Sequence, residues 1–447
     1  MVRFSGPRKT PYLYRSLLLT VFVLFGLRSL FYYSVPVQSS VNVHQLFETV
    51  VRSLVAAGSE LVVLQGVGPE NSPGAKEVFE GVYPDGTPER HTVADKSSST
   101  ILKRIGLAFP GLSIVNEEDV ASGGGWRPTV SRRVRGDDDG VGLLHRAPTL
   151  PVSELSIFID PLDGTQEYTE GLWKYVTVSA CVARCGVPLV GIIYQPFSQR
   201  LYWTRPGTGV NVAFSADAAI DAERALPHSW ESEEKEGKLS QHAQCCRADR
   251  RPKAGEGAIG NWSKVSLTTP IHPDLLPPGG PKIVISRSHT AEGLLEGLHE
   301  FVTSQGYPPF SVNPVGGAGY KLIQVLEGTA DAYIHPGSIR KWDICAGEAL
   351  LRAAGGGLLQ WDGKKVDYCL PPLPGEPRGY GGKIGGDGGH EGAGGRRQRI
   401  VEGAVRVPGL LAGSSAGLVE ALREFSQWWS EKTHKVSVAP HLGSAEA

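Results

Sequence analysis

The chain has 447 residues, 40% of them hydrophobic and 20% charged, which describes a soluble globular body with room for one large domain or two ordinary ones. Its 45 lysines and arginines nearly balance 46 aspartates and glutamates, so the broad basic surface that nucleic-acid binding needs is excluded. An acidic ligand has to be met by a local site rather than by the field of the whole protein.

The N-terminus carries Arg3, Arg8, Lys9 and Arg15 ahead of the apolar run Leu17–Leu27, with Arg28, Tyr32 and Tyr33 beyond it. The uninterrupted run suits a signal-peptide core, whereas continuing to Val35 reaches the length of a full span. No A-x-A cleavage site follows, and the tyrosines resemble interfacial aromatics. The expectation is a cytoplasmic tail and an uncleaved single-pass anchor within residues 1–40, with a lumenal body by the positive-inside rule. The competing reading is an ordinary core helix. A sequon, Asn261-Trp-Ser, fits a lumenal body.

"HQLFETVVRSLVAAGSELVVL" from His44 has apolar residues at helical spacing. A turn-rich loop follows, then "TVADKSSSTILKRIGLAF", whose serines place a second helix start near Ser97. "SIVNEED" is a short strand running into acids, and the Gly-rich polar stretch after it reads as an exposed loop. "LSIFID" is a continuous apolar run, as a strand buried on both faces requires. "YVTVSACVARCGVPLVGIIYQPFSQRLYWTR" alternates strand and turn as an antiparallel meander.

Residues 212–281 are polar and Pro-rich, an insertion or linker between a lobe at 41–211 and a second at 282–430. The second lobe opens with the strand "KIVISRS" and a helix at "TAEGLLEGLHEFVTS". "GAGYKLIQVLEGTADAYIHP" is turn, helix and strand, and "WDICAGEALLRAAGG" is a helix with an acid in its first turn and terminal glycines. The Gly-rich tract at 374–399 has the composition of a disordered loop, "PGLLAGSSAGLVEALREF" gives a last strand and helix, and 431–447 is a tail. The six cysteines, at 181, 185, 245, 246, 345 and 369, show no paired CxxC spacing. They read as buried free thiols, with one or two disulfides left open for an oxidising compartment. His335 and Cys345 read as packing residues.

The chemistry starts at "DPLDGT". Asp160 stands where the apolar run ends, and Pro161 fixes φ and removes a ladder donor, so the turn can aim Asp160 and Asp163 at one point. Converging hard oxygens suit Mg²⁺, and the free backbone N–H groups of Gly164 and Thr165 would seat a phosphate. A bare Asp-x-x-Asp is equally an N-capping turn with surface acids. Two further acid-bearing element ends, Glu117 with Glu118 in "NEED" and Asp343 in "KWDICAGEAL", complete the parts of a two-metal phosphatase.

"NEED", "DPLDGTQEYTEG" and "WDICAGEAL" together resemble the three signatures of the inositol monophosphatase superfamily, lithium-sensitive Mg²⁺-dependent phosphatases, over most of the chain from His44 to Phe425. Within it, "TQEYTEG", "SRSH" and "GGAGYK" resemble the 3′(2′),5′-bisphosphate nucleotidases. The N-terminal anchor, "YVTVSACVA" and "YIHPGSIRKWDICAG" resemble a Golgi-resident branch. The resemblance implies an α/β fold of alternating helical and sheet layers with the site between the lobes.

It also implies that Glu117, Asp160 and the Leu162 carbonyl hold one Mg²⁺, and that Asp160, Asp163 and Asp343 hold another. Asp95 would be an outer acid, with a third ion conceivable there, and Thr165 would orient water with Asp95 or Glu117. Gly164 and Thr165 would hold the scissile phosphate, while Ser286, Arg287, His289, Gly317, Gly319 and Lys321 would contact nucleotide. The implied reaction is hydrolysis of adenosine 3′,5′-bisphosphate to AMP and phosphate in the Golgi, by a single-pass type II protein. Two rivals remain: an inositol monophosphatase, and an inactive phosphate-binding scaffold. The presence of every candidate acid argues against the scaffold. Monomer and homodimer are both left open.

Overall fold

Buried apolar side chains from along the chain form three separate cores, and the two larger sheets divide them. A computed structural model describes residues 40–66, 79–82, 88–121, 127–128, 149–205, 208–225, 280–288, 292–371 and 403–438. The expected anchor, the Asn261 sequon, His289 and the Gly-rich tract at 374–399 lie outside these. Among the described residues no helix is long and apolar enough to cross a membrane.

Strand β1 (Ser40–Asn42) leads into helix α1 (Val43–Gly66), and a hairpin of β2 (Phe79–Val82) and β3 (Pro88–His91) precedes α2 (Val93–Ala108). Next come β4 (Ser113–Asn116), α3 (Glu117–Ala121), β5 (Arg127–Pro128) and β6 (Thr149–Pro151), the last pairing with β1. The long strand β7 (Leu155–Asp163) and short α4 (Thr165–Thr169) follow. Then β8 (Thr177–Arg184), β9 (Val187–Gln195) and β10 (Arg200–Thr204) form the anticipated meander.

The stretch read as an insertion from residue 212 in fact opens within regular structure, β11 (Val210–Ala213) and α5 (Ala216–Ala225). The C-terminal half comprises β12 (Lys282–Ser286), α6 (Leu294–Gln305), β13 (Ser311–Val315), α7 (Ala318–Leu326), β14 (Ala332–His335) and β15 (Ile339–Arg340). It finishes with α8 (Lys341–Ala353), β16 (Gly357–Gln360), β17 (Arg406–Val407), β18 (Leu410–Gly413) and α9 (Ala416–Val438), so the expected tail begins as helix.

The larger sheet runs β11-β10-β9-β8-β7-β4-β5 and the smaller β13-β12-β14-β18-β16. Alternation along β7 shows why it is apolar throughout: Ile157 and Ile159 face the core under α1 and α2, while Phe158 faces the core holding α7 and α8. On β12, Val284 faces that same middle core and Ile283 and Ile285 face the third, under α6 and α9. The layers therefore read helix, sheet, helix, sheet, helix, the alternating α/β architecture expected. Helix α8 lies deepest, and a Cβ on Gly191 of β9 would stand 2.3 Å from the Ala346 carbonyl. Only glycine lets that backbone rest on the sheet.

One charge is buried inside this middle layer, away from the candidate site. Burial pushes the Glu348 carboxyl on α8 up to about 7, opposed by Arg352, by the Tyr368 hydroxyl that donates to it at 2.7 Å, and by Lys365. The folded chain therefore holds a proton that the unfolded chain releases near the ordinary glutamate value of 4.5. Stability from this group is full below the unfolded value and is lost as pH rises through the folded one, by up to about 3 kcal/mol. Glu348→Gln keeps the acceptor for Tyr368 and should flatten that decline. Denaturant titrations at pH 5 and pH 8 check it, and equal pH slopes in both proteins would refute it.

The expectation of free thiols is overturned. Cys181 and Cys345 are joined in a disulfide across 164 residues, Cys185 and Cys369 are also disulfide-bonded, and no described cysteine is free. Sequence spacing missed this because the bonds link distant parts of the chain.

Candidate active site

The parallel register of β4 and β7 sets Asn116 beside Ile159, which brings Glu117, the next residue, alongside Asp160. The strand does not stop at Asp160 as expected but continues to Asp163 across a bulge: Asp160 faces Ser179 and Asp163 faces Thr177, leaving one extra residue on β7. Pro161 occupies the irregular part, where its missing N–H breaks no ladder bond. Its carbonyl accepts from Ser98 Oγ at 2.7 Å, and Leu162 N–H donates to Asp160 Oδ1 at 3.1 Å. The bulge is thus pinned from outside and within.

Apart from Asp160, each candidate metal or outer acid also begins or caps a helix. α2 starts at Val93, four residues before the expected Ser97, because Thr92 and Asp95 form a capping box. Thr92 N–H and Oγ1 both donate to Asp95 Oδ2, at 2.5 and 2.6 Å. The pattern Thr-x-x-Asp at 92–95 was the available signal, masked by the run of serines after it. Glu117 opens α3, and Asp343 sits in the first turn of α8, with Oδ2 accepting from Arg340 N–H at 2.9 Å. Asp163 caps α7: Ala318 N–H donates to Oδ1 at 2.9 Å, and Gly319 N–H and Thr177 Oγ1 to Oδ2 at 2.7 and 2.9 Å. Thr177 was not anticipated, since inside a strand pattern it reads as ordinary β sequence.

Gly164 turns the chain out of β7 with φ +86°, and Thr165 begins α4. Thr165 Oγ1 lies 3.1 Å from both Asp95 Oδ1 and the Leu162 carbonyl oxygen. Its single proton reaches one of these at a time, leaving lone pairs for a further donor.

The acids crowd one another. Glu117 and Asp160 are pushed well above the ordinary carboxylate range, each first by loss of solvent. Next come Asp160, Asp343 and Asp95 for Glu117, and Asp163 and Asp343 for Asp160, the latter opposed by the Leu162 N–H and by Glu117. Asp343 is pushed to about 7 by desolvation and by Asp163, against the pull of Arg340 and Lys321.

A buried cluster of like charges, all hard oxygen donors, suits a divalent cation such as Mg²⁺. Among the described residues, no three His, Cys, Asp or Glu side chains stand close enough to clasp one ion as placed. The donor chemistry still fits: Asp163 has used three of about four lone-pair sites, and Asp160 and Asp343 each have one oxygen fixed by a backbone N–H.

The glycines at 316, 317 and 319 permit a close approach within the fold itself. A Cβ on Gly316 would stand 2.4 Å from Glu167 Cγ, on Gly317 2.3 Å from the Tyr175 carbonyl, and on Gly319 2.4 Å from Thr177 Oγ1. They let the start of α7 press against α4 and the entry to β8, which is how Asp163 reaches two of its N–H groups. Lys321 is likewise turned inward. Its Nζ, 3% of the residue being exposed, donates to the Val315 carbonyl at 3.1 Å and lies 5.0 Å from the Tyr333 ring centroid. Burial lowers its ammonium to about 8 against the support of Asp163, Glu167 and Asp343.

Ser286 is buried at the end of β12, and Arg287 beyond it reaches Glu170 Oε2 at 2.5 Å and Glu167 Oε1 at 3.3 Å. The structure so gathers Asp95, Glu117, Asp160, Leu162, Asp163, Gly164, Thr165 and Asp343 about one place, with Arg287, Gly317 and Gly319 on its flank.

The chain is also similar to proteins already known. The model of the inositol monophosphatase family matches residues 54–249 and 280–381. Inositol monophosphatase 3 of Danio rerio is 28% identical over 78% of this chain and 87% of its own length. The Golgi-resident adenosine 3′,5′-bisphosphate 3′-phosphatase of Mus musculus is 29% identical over 65% of this chain and 66% of its own. A crystal structure of SaIMPase-II with inositol monophosphate bound is 14% identical with a TM-score of 0.46, covering 88% of this chain and 97% of that one.

Proposed function

The chain belongs to the inositol monophosphatase family, a family of phosphatases, and we propose that within it the protein hydrolyses adenosine 3′,5′-bisphosphate to AMP and phosphate. The observation that carries the chemistry is the contact of Thr165 Oγ1 with Asp95 Oδ1 at 3.1 Å, beside the Glu117–Asp160 pair. Thr165 accepts a hydrogen bond from the attacking water while donating to Asp95. Asp95 Oδ1 takes up the proton as the oxygen attacks, and Oδ2 stays fixed by Thr92. The backbone N–H groups of Gly164 and Thr165 hold the phosphate in line.

The family is generally Mg²⁺-dependent. Glu117, Asp160 and the Leu162 carbonyl would hold one ion, and Asp160, Asp163 and Asp343 a second. When bound, such ions supply charge neutralisation for the phosphoryl group and the departing ribose oxygen. Lithium sensitivity belongs to the same proposal.

The nucleotide reading is supported by a physical junction. "QEYTE" and "SRS", the stretches that resemble the nucleotidases, meet through Arg287, Glu167 and Glu170 and form one rim of the site. Arg287 remains the proposed contact for a second phosphate, as Arg forks suit that group. His289 and Ser286 belong to the same proposed subsite. The match over most of the length of inositol monophosphatase 3 favours an inositol phosphate as the second reading.

The purified body from Val41 onward, given Mg²⁺ and each ester in turn, decides between them. We expect at least tenfold higher kcat/KM for adenosine 3′,5′-bisphosphate than for inositol 1-phosphate; the reverse order would sink the substrate assignment. The disulfides fit an oxidising compartment. With the Golgi-resident relatives and the basic-then-apolar N-terminus, they support a type II Golgi membrane protein with a lumenal body.

A further inference from the structure

The Cys181–Cys345 disulfide spans 5.6 Å between Cα atoms, and its location says more than its existence. Cys181 lies on β8 opposite Phe158 of β7, and two residues earlier Ser179 lies opposite Asp160. Cys345 lies on α8, two residues after Asp343. The bond therefore joins the strand register that sets Asp160 to the helical turn that carries Asp343.

The same seam is held at two more points. Ser179 Oγ approaches the Trp342 carbonyl at 3.4 Å, so the residue beside Asp160 touches the residue beside Asp343. Gly191, the β9 partner of Cys181, is the glycine on which the α8 backbone rests. Both cysteines are buried, at 1% and 0% exposure, so dissolved reductants do not reach the bond in the folded chain. It acts as a fixed staple rather than a switch.

We propose that Cys181 and Cys345 are positioning residues for the metal centre, their disulfide holding Asp343 at a set separation from Asp160. The inference rests on the reading of those two acids as metal ligands. The acids arrive from opposite halves of the chain, on a strand of the larger sheet and on a helix of the second lobe. Without a covalent tie, their mutual repulsion acts to spread them, and gathering them around an ion carries an ordering cost. With the tie part of that cost falls during folding, so less ordering is left for the metal to bring about.

The test uses the full chain from a secretory host, with Mn²⁺ as the probe and free Mn²⁺ read by electron paramagnetic resonance. Unreduced peptide mapping should recover the 181–345 linkage. Cys181→Ala/Cys345→Ala and the better-filled Cys181→Val/Cys345→Ala should both bind Mn²⁺ about tenfold more weakly, the scale seen when support for a metal ligand is lost. Near-UV circular dichroism should stay unchanged below the melting range. A purely structural staple would lower Tm yet leave the Mn²⁺ affinity of the folded protein intact, and that result overturns the proposal. Asp343→Asn separates the two layers of inference. If it abolishes binding at one site while both cysteine variants bind as the parent does, positioning by the disulfide is wrong and the ligand reading stands. If Asp343→Asn itself changes nothing, the ligand reading fails.

Discussion

Asp160→Asn is expected to reduce phosphate release by about 10³-fold while making the metal-free protein more stable. The loss follows from several kcal/mol of charge stabilisation at about 1.4 kcal/mol per decade of rate. The gain follows from the same crowding. Asp160 is desolvated and faces Asp163 and Asp343, so its ionised form opposes folding when no cation is present. Asparagine keeps the acceptor for Leu162 N–H at the bulge, so the turn should survive. Phosphate release measured with Mg²⁺, and Tm measured in chelator, should move in opposite directions as in other stability–activity exchanges. Activity that persists would remove Asp160 from the metal assignment, and a lower Tm in chelator would refute the account of crowding.

Gly317→Ala is expected to cost about 2–4 kcal/mol of stability and most of the activity. Two terms add: the backbone at φ +60°, ψ 131° is unfavourable for any side chain, and the new Cβ would meet the Tyr175 carbonyl at 2.3 Å. Backbone oxygen cannot swing aside as a side-chain tip can, so the start of α7 has to retreat and Asp163 loses its grip on Ala318 and Gly319. Gly328→Ala, also at positive φ but with open space around its Cβ, is the matched control and should cost only the backbone term. Equal losses in the two variants would show that close approach at Gly317 is not the cause.

Much of the fold was legible because hydrophobic period and burial agree. The continuous run at Leu155–Ile159 belongs to a strand with a core on each face, and the meander from Thr177 to Thr204 alternates as its sheet does. The acids were legible because carboxylates at element ends need a reason. Local competition hid other features. The serines after Lys96 obscured Thr92 as the cap, and proline at 161 read as a stop because a bulge that absorbs it depends on the neighbouring strand. Lys321 and the glycines beside it have the composition of a ligand loop, yet whether a lysine points outward depends on what covers it. Here a turn and an aromatic ring 5.0 Å away enclose it. Disulfide pairing is a property of three-dimensional proximity, which spacing along a chain does not encode.

The smaller sheet has the order β13-β12-β14-β18-β16, with the strand nearest the C-terminus seated between two made earlier. A chain emerging in sequence can finish the larger sheet from its own first half, since β4 through β11 precede residue 214. β14 and β16, by contrast, have no bridge between them until Leu410–Gly413 arrives to pair with both. The second half must wait, half-built, for nearly the whole of translation. A ribosome that stops before Leu410 would release a complete sheet from one half of the molecule and an open gap in the other.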